Sequence, residues 1–143
     1  MRLAAIDIGS NAARLLISDV TLGDNERPQF QKINLVRVPL RLGFDVFEQK
    51  QISPEKEAMI LNTLRAYKYL LDAYGVQHLK AAATSAMRDA QNSQDIIDKV
   101  KSETGIQIEV ISGDMEASLL YENHVAEKLV RDHGDHAYIY IDV

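Results

Sequence analysis

Between Arg2 and Pro39 the chain is almost continuous strand-forming sequence, interrupted by only two short turns, and no other feature narrows the choice of fold so much. The apolar run Leu3-Ala4-Ala5-Ile6-Asp7-Ile8 is broken by Gly9-Ser10-Asn11 and resumes from Ala13 to Val20 with Leu15, Leu16, Ile17 and Val20. A second turn, Leu22-Gly23-Asp24-Asn25-Glu26, precedes Phe30, Ile33, Leu35, Val36 and Val38, and the run stops before Pro39. Links this short join antiparallel neighbours, because a parallel pair needs a crossover of a dozen residues or more. The opening segment is therefore expected to form a three-stranded meander.

After Pro39 the pattern changes. Leu40 to Gln51 shows no clean period and contains Gly43, so it reads as a loop. Ser53-Pro54 then announces a helix: Ser as N-cap, Pro at the first helical position, and Glu55 and Glu57 near the positive end of the dipole. Leu61, Leu64, Tyr67, Leu71 and Tyr74 follow at three- and four-residue spacing, and Gly75 stops the helix. Next come a strand at Leu79–Ala83, a short helical stretch around Met87 to Gln91, and a helix from an Asn92 or Ser93 cap to Gly105. A strand Ile106–Ile111, a helix from Asp114 to Arg131 and a final strand from Ala137 to Val143 complete the chain.

The order β-β-β-α-β-α-β, with a further helix and strand behind it, sets an antiparallel meander beside right-handed βαβ crossovers. The fold class is α/β: a mixed sheet with helices on its faces, the order of a ribonuclease-H-like or actin-like half-domain. The expected division is residues 1–136 as that domain, with 137–143 as the first strand of a second domain that a longer protein would complete.

Composition narrows the function. The 143 residues are enough for one core, and 16 Lys+Arg against 21 Asp+Glu give a net charge of −5 with no basic run, which argues against a DNA or general nucleic-acid partner. No run approaches the roughly 18 apolar residues of a membrane span, so no membrane partner is expected and the cytoplasm is the expected location. With no cysteine there is no disulfide, thiol nucleophile or thiolate metal site. The histidines at 78, 124, 133 and 136 lack metal-ligand spacing. A polyanionic ligand would have to be held locally, by backbone N–H groups, a few arginines or a bound cation.

Three junctions carry groups suited to that task. In Asp7-Ile8-Gly9-Ser10-Asn11 the turn N–H groups can cradle phosphate, Gly9 permits a positive φ and close approach, and the carboxylate can hold hydrated Mg²⁺. The same residue types also make an ordinary hairpin turn. In Thr84-Ser85-Ala86-Met87-Arg88-Asp89, at a carboxyl strand end, Arg88 can offer a bidentate fork to phosphate oxygens or simply pair with Asp89 or Asp95. In Ile111-Ser112-Gly113-Asp114-Met115-Glu116-Ala117, Glu116 can act as a general base or merely favour the helix dipole. Asp142 ends the last strand.

Taken together, Asp-Ile-Gly-Ser-Asn, Arg41-Leu42-Gly43, Thr-Ser-Ala-Met-Arg-Asp-Ala-Gln-Asn and Ile-Ser-Gly-Asp-Met-Glu-Ala, in this order, resemble the exopolyphosphatase and guanosine pentaphosphate phosphohydrolase family. That family belongs to the acetate and sugar kinase, heat-shock chaperone and actin superfamily, and the resemblance spans the chain as the family's N-terminal domain. It implies two actin-like domains flanking a cleft, Mg²⁺ as cofactor, and release of terminal phosphate from polyphosphate or guanosine pentaphosphate by water attack. By position, Glu116 matches the catalytic base, Gly9, Ser10, Asn11 and Arg88 the phosphate-binding residues, and Asp7 and Asp142 the carboxylates near the metal. A homodimer of the full-length protein is compatible with it. Ala12 stands where members usually carry Ser or Thr, and Ser118 where Arg commonly follows the Glu-Ala pair. The competing readings are an actin-superfamily ATP-dependent kinase or ATPase domain, and a non-catalytic alarmone-binding module.

Overall fold

The structure, a computed structural model, describes residues 1–23 and 28–129. The expected strand 137–143, and Asp142 with it, lie outside the described residues. The chain divides into two units, Met1–Ser112 and a second that begins at Gly113.

In the first unit the expected meander forms as β1 (Arg2–Ile8), β2 (Ala12–Leu22) and β3 (Pro28–Pro39). Strands β4 (His78–Ala83) and β5 (Ile108–Val110) complete a five-stranded sheet in the order β3-β2-β1-β4-β5. The first three strands pair antiparallel, whereas β1–β4 and β4–β5 are parallel. This is the mixed sheet of the ribonuclease-H-like class.

Helix α2 (Pro54–Ala73) starts as its sequence predicts. Ser53 caps it, its hydroxyl accepting from the Lys56 N–H at 3.4 Å, and Pro54 occupies the first turn. It buries Ile60, Thr63, Leu64, Tyr67 and Leu71, so the stripe begins at Ile60 rather than at half-buried Leu61. Each such apolar side chain contributes about 1.5–3 kcal/mol by leaving water. With Ile96 and Val100 of helix α4 (Ser93–Thr104), these residues pack on Ile6, Ile8, Leu15, Ile17, Ala81 and Ala83 of the sheet. Gly75 and Gly105 both adopt positive φ, +61° and +72°, just past the ends of α2 and α4.

Two local expectations are corrected. The segment read as a loop holds a helix, α1 (Leu42–Gln49), which buries Leu42, Gly43 and Val46. Its ends hide it: Arg41 and Lys50 both take left-handed backbone, positions where Gly, Asn or a capping Ser would have been the signal. Phe44 and Phe47 project to solvent and break the apolar period. Asn92 precedes α4 but its side chain does not cap that helix. It pairs with the backbone of Ile52 instead, accepting from its N–H and donating to its carbonyl, both at 2.9 Å.

In the second unit, helix α5 (Gly113–Leu129) carries Asp114 and Glu116 in its first turn. Among the described residues no helix is long and apolar enough to cross a membrane.

Candidate active site at the carboxyl edge of the sheet

Parallel pairing aligns the carboxyl ends of three strands in one row, Ile8 beside Ala83 beside Val110. The ladder continues one bond further on each side: the Thr84 N–H donates to the Ile8 carbonyl at 3.1 Å, and the Ile111 N–H to the Ala83 carbonyl at 3.0 Å. The loops that leave these strands therefore emerge together, at the edge where open α/β sheets bind ligands. A cavity lined by Lys68, Leu71, Val76, Leu79, Thr104 and Ile106 lies by the amino end of β4, away from this edge.

The first loop is the turn Gly9-Ser10-Asn11. Gly9 does not adopt a left-handed φ, so the positive φ expected of it is not what calls for glycine here. Its N–H is spent inside the turn, donating to the Ala12 carbonyl at 3.0 Å. A Cβ at Gly9 would lie 3.6 Å from the Ala12 oxygen, an ordinary contact. What remains of the expectation is close approach by a ligand.

The entry to α1 clasps the same turn. The Leu40 and Arg41 N–H groups both donate to the Asn11 carbonyl, at 3.0 and 2.9 Å, and the Gly43 N–H donates to the Ser10 carbonyl at 3.0 Å. Gly43 allows this approach, since a Cβ there would lie 3.3 Å from the Ser10 Cβ and 3.2 Å from the Phe47 ring. The consequence is electrostatic. The carbonyl oxygens of Ser10 and Asn11 are consumed inward, while their N–H groups take no part in that network. With the Ser10 and Asn11 carbonyls occupied and the N–H groups of the same two residues not, this part of the turn favours an anion.

The second loop leaves β4 into the short helix α3 (Ser85–Asp89). The Ser85 hydroxyl meets the Ser10 hydroxyl at 2.6 Å, which joins the two loops directly. Arg88, an exposed residue, donates from Nη1 to the Ile111 carbonyl at 3.1 Å and stands 3.9 Å from Asp89, so the pairing foreseen with Asp89 exists and that with Asp95 does not. Of the five guanidinium N–H donors one is spent on Ile111, and the anchor holds the rest at the same edge.

Asp7 lies one residue before the end of β1, on the face opposite Ile6 and Ile8. Its cross-strand partner Arg14 donates to Oδ2 at 3.1 Å, and both side chains are about half exposed, a setting in which such a pair contributes about 0–1 kcal/mol. Oδ1 is outside that bond. Among the described residues there is no group of three His, Asp or Glu able to enclose a cation. A single carboxylate with one free oxygen does fit Mg²⁺ that keeps its waters and arrives on substrate phosphate, the usual manner of binding for that ion. Glu116 stands half-buried on the first turn of α5, in the second unit. Gly9, Ser10, Asn11 and Arg88 thus come to one edge, and sequence reasoning missed Ser85 and the role of Gly43, because both depend on contacts across long stretches of chain.

Comparison with known proteins agrees with this architecture. The model of the Ppx/GppA phosphatase family matches residues 20–143. Exopolyphosphatase 1 of Mycobacterium bovis is 31% identical over 121 residues, 85% of this chain and 34% of that protein. A bifunctional 3-dehydroquinate synthase/phosphatase of Fusobacterium nucleatum is 36% identical over 140 residues, 96% of this chain and 21% of that protein. Among solved structures, the Aquifex aeolicus family member superposes with a TM-score of 0.75 at 34% identity, over 81% of this chain and 36% of its own. An exopolyphosphatase from Cytophaga hutchinsonii gives 0.75 at 35% identity, over 83% and 36%. The chain thus spans about a third or less of the length of these relatives. On the match of its sequence and its fold, it belongs to the Ppx/GppA phosphatase family.

Proposed function

We propose that this chain supplies one side of the active site of a phosphohydrolase that releases terminal phosphate from inorganic polyphosphate or guanosine pentaphosphate. The observation that carries the reading is the donor-facing turn at Ser10 and Asn11, set beside the anchored Arg88. Exopolyphosphatase relatives support polyphosphate, and guanosine pentaphosphate enters through the family resemblance.

In this mechanism the Ser10 and Asn11 N–H groups and the free donors of Arg88 grip the terminal phosphoryl group and take up charge as it transfers. Glu116 accepts a proton from water. The water oxygen forms its bond to the terminal phosphorus in line as the bridging P–O bond breaks, and the leaving chain departs with the bonding electrons. Mg²⁺, held near Asp7 and Asp142, would neutralise phosphate charge when bound. We read the full-length protein as cytoplasmic, able to form a homodimer, and without a DNA or membrane partner.

Replacing Glu116 by Gln in the full-length protein tests the assignment. A lost general base lowers kcat roughly a hundredfold to ten-thousandfold with KM nearly unchanged. If kcat stays at the wild-type level and only the thermal midpoint falls, by the equivalent of about 0.3–1 kcal/mol, Glu116 is a helix-dipole partner and the mechanism has lost its base.

A further inference from the structure

Ser10 and Ser85 are 75 residues apart in the chain, yet their hydroxyl oxygens lie 2.6 Å from each other. Each hydroxyl has one proton to give and lone pairs to receive, so one donates to the other and a single proton is left over. Nearby backbone groups do not decide which proton that is. The Ser10 and Asn11 carbonyls are taken by the α1 entry, and the Thr84 N–H is bonded to the Ile8 carbonyl.

An anionic oxygen outside the turn would decide it. If Ser10 donated to Ser85, it would turn lone pairs toward a phosphate and repel it. If Ser85 donates to Ser10, the Ser10 proton is free for a phosphate oxygen, in a charge-assisted bond roughly twice as strong as a neutral one. The two bonds then point the same way along the chain Ser85, Ser10, phosphate, and each polarises the other.

We propose that Ser85 is a positioning residue: it donates to the Ser10 oxygen and so directs the Ser10 proton at a phosphate of the substrate. This rests on the reading of the first turn as phosphate-binding. The bond comes from a rigid source, since the start of α3 is tied to β1 through Thr84 and the Arg88 N–H closes onto the Thr84 carbonyl at 3.0 Å.

The test is steady-state phosphate release from polyphosphate by the full-length protein, as wild type, Ser10→Ala, Ser85→Ala and the double variant, with thermal midpoints on the same preparations. Ser85→Ala is expected to raise KM roughly two- to twelvefold, the worth of one neutral hydrogen bond, with kcat within about twofold of wild type. Ser10→Ala should cost more, roughly ten- to 150-fold, the range for a bond to a charged group. The double variant should match Ser10→Ala within about twofold, because Ser85 acts through Ser10. Independent, multiplying effects would overturn the proposal, as would a Ser85→Ala protein with a lowered midpoint and unchanged KM. A wild type that releases no phosphate, or a Ser10→Ala protein with wild-type KM, would bring down the phosphate-binding reading itself. An active wild type, a damaged Ser10→Ala and a normal Ser85→Ala would bring down only the role of Ser85.

Discussion

Tyr67 offers the sharpest check on how the core holds the turn in place. Its ring is 1% exposed on α2, and its hydroxyl donates to the Ala13 carbonyl at 3.0 Å, one residue beyond the first turn's closing bond. Burial pushes the phenol up from 10.0 to about 12. The sign follows from proton counts. An unfolded chain gives up this proton near pH 10, the folded chain keeps it until about 12, and so the folded state binds more protons between the two and loses stability as pH rises. Below pH 10 the contribution is fully present. Two pKa units at about 1.36 kcal/mol each make the loss approach about 2.7 kcal/mol across that window. Tyr67→Phe keeps the ring, loses one hydrogen bond and should cost about 1 kcal/mol at pH 7. Having no phenol, it escapes the alkaline loss, so its urea-denaturation stability should overtake wild type near about pH 10.7 and exceed it by about 1 kcal/mol at pH 12. The difference between the two curves cancels every other titration. Parallel curves from pH 9 to 12 would refute the reasoning, since they would mean that the phenol ionises alike in both states.

Other expectations are as direct. Gly9→Ala should leave the thermal midpoint unchanged or slightly raised, because the backbone and the 3.6 Å contact accept a methyl group, yet raise KM for polyphosphate severalfold by obstructing the ligand; an unchanged KM would remove Gly9 from the site. Gly43→Val should cost about 1–3 kcal/mol in denaturant and lower kcat/KM, as the α1 entry is forced off the Ser10 turn. Asn92→Ala should cost about 1–3 kcal/mol by leaving both backbone groups of Ile52 unpaired, measurable by the same denaturation, and a cost below about 0.5 kcal/mol would show that water replaces the side chain.

The parts of the fold that were legible in the sequence are those whose signals are local. Ser53-Pro54 and the three- and four-residue spacing marked α2, the positive-φ glycines at 75 and 105 marked helix ends, and the apolar runs marked β1 to β4. Helix α1 escaped because both of its ends use left-handed residues, Arg41 and Lys50, that local rules assign elsewhere, and because its two phenylalanines face water. The strand expected over Ile106–Ile111 keeps only Ile108–Val110, since pairing with β4 runs from Ala81 to Ala83. Residue types nominated Ser10, Asn11 and Arg88 as candidates, and the fold brings all three to the carboxyl edge of the sheet. The depletion of the turn's acceptors, and the meeting of Ser10 with Ser85, exist only once β4 has paired with β1.

That depletion also sets the reach of the interaction. A chain of net charge −5 exerts no long-range pull on a polyanion, so on the proposed reading the turn would hold phosphate through the Ser10 and Asn11 amides, whose carbonyls are already engaged, rather than through a cluster of cations. Amide dipoles act over a few ångströms and release no condensed counterions, so their share of the affinity should persist as ionic strength rises, whereas a lysine-lined groove would lose its grip. On that reading the turn would contribute to how long a phosphate stays and little to how fast it arrives.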